Sequence, residues 1–164
     1  MWIGALCLRV TTKAQPHSGT DYVVTAEMLR DGEVVQRFKL DYGAMDDMEP
    51  GATMDYCFAG AEGLPRKHDR TPRFKRGHRE VEAPGHGIEF SKGLNGHLAF
   101  RFKVQGPDVW LKDVIQLFIR ELHPVRSESG VQWVEDKAWN HVATWGRDVP
   151  VGAEGSRLLT LKLR

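Results

Sequence analysis

Five carboxylates fall within one short stretch of the sequence, residues 40–58, which is LDYGAMDDMEPGATMDYCF and contains no basic residue. They are Asp41, Asp46, Asp47, Glu49 and Asp55. Carboxylates held close together without a cation repel one another and raise one another's pKa. Ca2+ takes about six to eight oxygen ligands from carboxylates and carbonyls of flexible loops, so a bound calcium ion would offset this repulsion. The alternative is a solvated acidic turn without a ligand, because Asp and Gly are common turn residues.

A second stretch, RKHDRTPRFKRGHRE at residues 66–80, has the opposite charge. Its cations are Arg66, Lys67, Arg70, Arg73, Lys75, Arg76 and Arg79, placed around one aromatic residue, Phe74. A polybasic segment is attracted to anionic lipid by about 1 kcal/mol for each Lys or Arg near the surface. Nucleic acid is the weaker alternative, because the segment contains little aromatic interleaving and no recognised binding motif. A docking surface for another protein and a solvated, mobile loop both stay open.

No pattern of nucleophile, base or metal ligand indicates catalysis. The sequence has no HExxH or GxSxG motif, and the spacings of His68, His78 and His86 match no familiar metal site. Cys7 and Cys57 match no CxxC or Cys/His metal pattern. We interpret these cysteines as two small buried hydrophobic residues rather than as a disulfide. We therefore expect a binding module and not an enzyme.

The composition is typical of a single globular domain. The 164 residues are 41% hydrophobic and 27% charged, with a net charge of +1, which argues against a disordered chain. No stretch approaches the roughly 20 apolar residues that span a bilayer. The start of the sequence, MWIGALCLRV, lacks the basic lead of a signal peptide. We expect one domain over residues 1–164 that is not transmembrane and lies in the cytoplasm.

Alternation of apolar and polar residues predicts short β-strands along most of the chain. The clearest case is LAFRFKV at residues 98–104, which places its four apolar side chains on one face. The other predicted strands are IGALCLRV (3–10), DYVVTAEML (21–29), EVVQRFKL (33–40), DYCF (55–58), VIQLFI (114–119), VQWV (131–134) and RLLTLKL (157–163). Asp31-Gly32 predicts a tight hairpin. About eight antiparallel strands favour a sandwich or barrel, with Trp133 and Trp139 in its core.

Four segments together resemble a PLAT domain, the β-sandwich also called LH2. They are SGTD (18–21) before a strand, LDYGAMDDMEPG (40–51), GPDVWLKDVIQLFI (106–119) and VQWVEDKAWN (131–140). The resemblance implies an all-β, antiparallel eight-stranded β-sandwich with a long basic insertion at residues 59–97. It also leaves residues 142–164 as a C-terminal extension that ends in an extra strand.

The resemblance implies a site as well as a fold. Many members of the family bind calcium where the Gly-Thr-Asp loop and the acidic loop meet at one end of the sandwich. Carried over by position, the implied ligands are the carbonyl of Gly19 and the carboxylates of Asp21, Asp41, Asp46, Asp47 and Glu49. Asp55 lies at the start of the predicted strand DYCF, and we interpret it as structural.

The implied function is attachment to a lipid surface or to a lipid-associated partner, assisted by Ca2+. In lipid-binding relatives, exposed aromatic residues on loops insert into the membrane interface. Trp110 is the candidate for this role, although a core position is favoured for it. The alternative function is a protein–protein interaction module that uses the basic insertion and has no metal role.

Overall fold

The structure is a computed structural model that describes most of the chain outside the basic insertion. The described residues are 1–16, 19–20, 22–40, 48–58, 87–107, 109–146, 149–152 and 159–163. The described part contains strands, turns and no helix. It follows that none of these residues belongs to a helix that could cross a bilayer.

Eleven strands make up the described part, all paired in antiparallel fashion. They are β1 (Trp2–Thr12), β2 (Val24–Arg30), β3 (Glu33–Leu40), β4 (Thr53–Phe58), β5 (Ile88–Glu89), β6 (Leu98–Val104), β7 (Val109–Ser127), β8 (Gly130–Glu135), β9 (Asn140–Trp145), β10 (Val149–Gly152) and β11 (Leu159–Lys162). The predicted all-β antiparallel sandwich is confirmed. The strand count is eleven rather than eight, since β5, β9 and β10 come from stretches that alternate weakly.

The strands form two sheets. The first sheet has the order β10-β7-β1-β4, with β5 beside β1 and with β8 and β9 beside β7. The second sheet has the order β11-β6-β2-β3. Strand β7 is 19 residues long; one of its edges pairs with β1, and β10, β9 and β8 follow one another along the other edge. The C-terminal strands β10 and β11 therefore each complete one sheet.

The core lies between the sheets and follows the predicted alternation. The predicted inward face of β6 is buried, with Phe100 and Phe102 at 0% exposure. Ile115 and Leu117 of β7 are also at 0% and belong to the same cluster. Burying a large apolar side chain contributes about 1.5–3 kcal/mol, so this interleaving dominates the stability of the sandwich. The Asp31-Gly32 hairpin is confirmed as well, with φ of 53° and 88°, as a tight turn between twisted strands requires.

The cysteine prediction is half wrong. Cys7 and Cys57 are both buried, as expected, but they form a disulfide. The β1–β4 register places the two residues directly opposite each other. They lie 50 residues apart in sequence, so no short cysteine motif signals the bond, and only the strand pairing brings the sulfur atoms together.

The prediction of Trp133 and Trp139 as core residues is wrong. Both are half-buried and lie outside the core cluster. Trp133 packs edge-on against Trp2, with ring centroids 5.6 Å apart. Trp139 lies under the guanidinium of Arg120, whose Cζ is 4.8 Å from the ring centroid. A strand pattern predicts alternation, but it does not predict which face the opposite sheet covers.

Candidate functional site

One end of the sandwich gathers the loops that contain the predicted ligands; we call it the acidic pole. Here the β1–β2 connection (13–23), the β3–β4 connection (41–52) and the β6–β7 connection (105–108) leave their strands. The register supports this arrangement, because Thr11 of β1 pairs with Thr53 of β4. The N–H of Thr12 also donates to the carbonyl of Ala52 at 2.9 Å.

Gly19 brings the first two connections into contact. A Cβ at this position would lie 2.6 Å from the carbonyl oxygen of Met48 and 3.0 Å from Cδ of Pro50. A distance below 3.0 Å to a backbone atom leaves no room for a side chain, so glycine permits this approach. Met48 is 2% exposed, and its burial anchors the loop while Glu49 and Pro50 stay exposed. The loop that ends in Gly-Thr-Asp and the end of the acidic loop therefore meet.

Further backbone bonds hold the end of the acidic loop. The N–H of Gly51 donates to the carbonyl of Lys13 at 3.2 Å, and the N–H of Ala52 donates to the carbonyl of Glu49 at 3.0 Å. Gly51 has a φ of +79°, a conformation that glycine adopts without strain. These bonds fix the backbone around Glu49 relative to β1.

The third connection closes against Tyr22. A side chain at Gly106 would overlap the Tyr22 ring, and the N–H of Gln105 donates to the carbonyl of Val23 at 2.9 Å. The ring of Tyr22 is 43% exposed, although it is held by these neighbours. The sequence interpretation missed this aromatic residue, whose position directly after SGTD was the available signal.

The predicted metal ligands divide into two groups. Gly19 and Glu49 are described, and they belong to the two segments that converge. Asp21, Asp41, Asp46 and Asp47 lie outside the described residues. Within the described ranges, no group of three or more His, Cys, Asp or Glu side chains could hold a metal ion. The calcium set therefore stays a prediction.

Asp55 is structural, as predicted. Its carboxylate accepts hydrogen bonds from Nε of Arg9 at 2.7 Å and from Nη2 of the same guanidinium at 2.9 Å. This side-chain hydrogen bonding raises the pKa of Arg9 above its ordinary value, despite the opposing effect of burial. Because β1 and β4 set the two residues opposite each other, the pair ties these strands together.

Trp110 is fully buried, which confirms the favoured core position. Its indole Nε1 donates to the hydroxyl of Thr12 at 3.0 Å. A buried ring with a satisfied N–H is unable to insert into a membrane interface, so the lipid- or partner-binding role named for Trp110 is wrong. The nearby loop residues Gly106 and Pro107 suggested a rim position, but the register places Trp110 inside β7, opposite Val151.

The strands that flank the insertion pair with β1 on the side away from the acidic pole. The cations of the insertion, Arg66, Lys67, Arg70, Arg73, Lys75, Arg76 and Arg79, lie outside the described residues. On one side of it, Phe58 pairs with Leu6 of β1; on the other, Ile88 pairs with Ile3. Leu6 lies about 20 Å from Thr12 along an extended strand. The acidic segment thus ends beside Thr12 of β1, whereas the flanks of the insertion lie beside Leu6 and Ile3.

The outward face of the second sheet is a charged region that the sequence interpretation missed. Arg37 and Arg101 both donate to the carboxylate of Glu27, with Nε distances of 2.8 and 2.6 Å. Burial alone would raise the pKa of Glu27, but these two hydrogen bonds outweigh it and hold the pKa below its ordinary value. The sequence did indicate it, because basic residues alternate with apolar residues in the predicted strands EVVQRFKL and LAFRFKV.

A comparison of the sequence with protein-family models gives no match, and a comparison with curated proteins gives none either. The PLAT resemblance therefore rests on the four sequence motifs.

Proposed function

We propose that this protein is a non-catalytic module, PLAT-like in organisation, that binds a lipid surface or a lipid-associated partner with the help of Ca2+. The observation that supports the proposal is the close packing of Gly19 against the Met48–Pro50 backbone. Two segments that are remote in sequence thereby meet, and in this proposal each supplies oxygens to a shared calcium site. Without this contact, the carboxylates of the two loops would have no common site.

The chemistry of the proposed donor set fits calcium. It consists of the Gly19 carbonyl and the carboxylates of Asp21, Asp41, Asp46, Asp47 and Glu49. All of these donors are oxygens, as Ca2+ prefers, and zinc or copper sites would require His or Cys. Bound Ca2+ would neutralise the acidic loop and attract the phosphate of a lipid headgroup. The backbone bonds around Gly51 would keep the Glu49 end of the loop in place.

In this proposal, Tyr22 is the aromatic residue that inserts into the membrane interface. This is the role first considered for Trp110. Its ring is exposed and lies at the acidic pole. Tyrosine is favourable at a membrane interface because the ring is apolar and the hydroxyl stays hydrated. We expect Tyr22→Ser to weaken vesicle binding with little change in thermal stability.

A calcium titration followed by thermal melting tests the metal site. A ligand that binds only the folded state raises stability by about 2.7 kcal/mol at 100 times its Kd, so the melting temperature should rise with calcium. Asp47→Asn combined with Glu49→Gln should remove this rise. The control variant is Glu128→Gln, which removes an exposed carboxylate from the β7–β8 turn and should keep the rise. An unchanged melting temperature in the unmodified protein would refute the calcium site.

Vesicle sedimentation tests the lipid part of the proposal. The protein is mixed with phosphatidylglycerol-containing vesicles in calcium and, separately, in chelator. More protein in the calcium pellet is the expected result, because the bound ion bridges the loops and the headgroups. Equal recovery in the supernatant under both conditions at low salt would contradict the proposal.

The second candidate function is a protein–protein interaction module centred on the insertion at 59–97. The observation that favours it is that the insertion attaches at an end of the sandwich where apolar side chains are exposed. The β7–β8 hairpin lies at that same end, and it exposes Val125, Val131 and Val134 at 46–58%. A pull-down that is lost when the insertion is shortened, but is unaffected by chelator, would support this candidate over the first.

The disulfide bears on the cellular compartment. Thiols in the cytosol are normally kept reduced, so the Cys7–Cys57 bond favours an oxidising compartment over the cytoplasm expected from the sequence. Because both cysteines are buried, alkylation in denaturant of the protein from freshly opened cells, before and after reduction, tests this point. Labelling of both cysteines without reductant would restore the cytoplasmic location.

A further inference from the structure

Cationic side chains dominate the outward face of the second sheet. Alternation turns every second residue of a strand away from the core, and the inward residues Phe38, Phe100 and Phe102 are buried. The outward cations are Arg37, Lys39, Arg101, Lys103 and Lys162. Among the described residues of this face, one carboxylate, Glu27, opposes these five cations. The whole chain has a net charge of only +1, so positive charge is concentrated here.

The strand register spreads these cations evenly. Lys39 and Lys103 lie on either side of Thr25, and Arg37 and Arg101 lie on either side of Glu27. Neighbouring strands are about 4.8 Å apart, and residues on the same face of a strand are about 7 Å apart. The cations of β3 and β6 therefore form two rows, with about 10 Å between the members of each row.

This face contains more cations than its ion pairs with described residues account for. Glu27 binds both arginines, which ties β2 to its two neighbours. Lys103 and Lys162 are exposed, and their ammonium groups form no ion pair with the described part of the chain. Exposed like charges on one surface repel one another, so within the described part of the chain these two lysines add no ion-pair stabilisation. Their charge is available to an anionic partner.

The position and chemistry of the face favour one kind of partner. Lys39 and Lys103 each lie one residue before the end of their strand at the acidic pole, so the face and the pole adjoin. Binding of single-stranded nucleic acid relies on aromatic rings that stack on bases. The described outward positions of β2, β3 and β6 contain no aromatic residue. An anionic bilayer requires only spread cations, each contributing about 1 kcal/mol.

We propose that the outward face of the second sheet docks on an anionic bilayer through Arg37, Lys39, Arg101, Lys103 and Lys162. This inference rests on the proposed function and adds a surface that acts without calcium. The face supplies electrostatic attraction to headgroups, and the adjoining pole supplies the calcium-dependent contact. The lipid-binding role predicted for the basic insertion stays a prediction, and the face adds a second source of attraction to anionic headgroups.

Sedimentation with vesicles in chelator at low salt tests the face separately from the calcium site. The probes are phosphatidylcholine vesicles with and without phosphatidylglycerol. We expect the unmodified protein to pellet only with the anionic vesicles. Lys103→Gln combined with Lys162→Gln should lower the partition coefficient about 30-fold, from two charges at about 1 kcal/mol each. Both residues are exposed, so the variant should fold normally, and a thermal melt checks that it does.

The matched control removes the same charge elsewhere. Arg126→Gln combined with Lys137→Gln alters exposed residues in and beside the β7–β8 hairpin. Both variants are also compared at about 0.1 M salt, where the Debye length is about 10 Å and more distant exposed charges are largely screened. Binding of the control should there stay within about twofold of the unmodified protein. Equal losses in both variants would show an effect of net charge alone and overturn the proposal.

Two other results would also overturn the proposal. Binding to anionic vesicles only in calcium would show that the acidic pole is the docking site and that the face does not bind the bilayer. Tighter binding to a DNA duplex than to the vesicles, lost in the Lys103/Lys162 variant, would assign the face to nucleic acid. The calcium-induced rise in melting temperature is a separate measurement, so a failure of the face and a failure of the metal site are distinguishable.

Discussion

The two outward faces of the sandwich differ in how their charges are matched. On the first sheet, Arg9 is paired with Asp55, and Arg120 lies between Glu135 and the ring of Trp139. The second sheet has five outward cations around one described carboxylate. Matched groups hold strands together. Lys103 and Lys162 form no ion pair with the described part of the chain, so their charges remain able to meet a partner. We infer that the first face stabilises the fold and that the second face binds.

The disulfide is the strongest test of the stabilising face. Closing a loop of 50 residues contributes about 4 kcal/mol, mainly by restricting the unfolded chain. Cys7→Ala combined with Cys57→Ala should lower the free energy of unfolding by about that amount in guanidinium titrations. Reductant should bring the unmodified protein close to the variant. Equal stability of the two proteins without reductant would show that the bond is absent or has no effect.

The Arg120–Trp139 contact should have the next largest effect. The Arg120 side chain is 10% exposed, and its Nε has no hydrogen-bond partner among the residues that the structure describes, so the ring face supplies much of its stabilisation. Trp139→Leu should cost about 2 kcal/mol, the value of a desolvated cation–π contact. Trp139→Phe is the control, because it also loses the indole N–H but keeps a ring. Similar losses in the two variants would remove the cation–π explanation.

Substitution of Glu27 should have the smallest effect on stability, but it distinguishes most clearly between a stabilising face and a binding face. Glu27→Gln should cost about 1 kcal/mol, because two partly exposed arginine pairs are lost. The same change should increase binding to anionic vesicles about fivefold, since one negative charge is removed from the face. Opposite signs in unfolding and vesicle assays are therefore expected. A loss in both assays would mean that Glu27 orders the arginines for binding.

The lowered pKa of Glu27 also makes its contribution to the free energy of unfolding depend on pH. Its folded-state pKa lies below the ordinary value of 4.5, so its contribution to stability is complete above that value. It is lost as the pH falls through the lowered folded-state pKa. The stability difference between the unmodified protein and Glu27→Gln should therefore shrink below about pH 4.5, which unfolding titrations at several pH values would measure.

Local pattern was enough for the strands that form the core. EVVQRFKL and LAFRFKV match β3 and β6 to the residue, because alternation over seven or eight residues defines both a strand and its buried face. The Asp31-Gly32 turn follows equally from local chemistry. β9 and β10 were missed because they are short and pair only with the edge of the unusually long β7.

The sequence by itself determined the all-β class, the inward faces of the main strands and the separation of acidic from basic segments, because each depends on residues close together in the chain. Tertiary structure decided the Cys7–Cys57 bond, the burial of Trp110, the contact of Gly19 with the acidic loop and the cationic face of the second sheet. Each of these depends on strand register or on loop packing between distant segments, and register is fixed only when a whole sheet assembles.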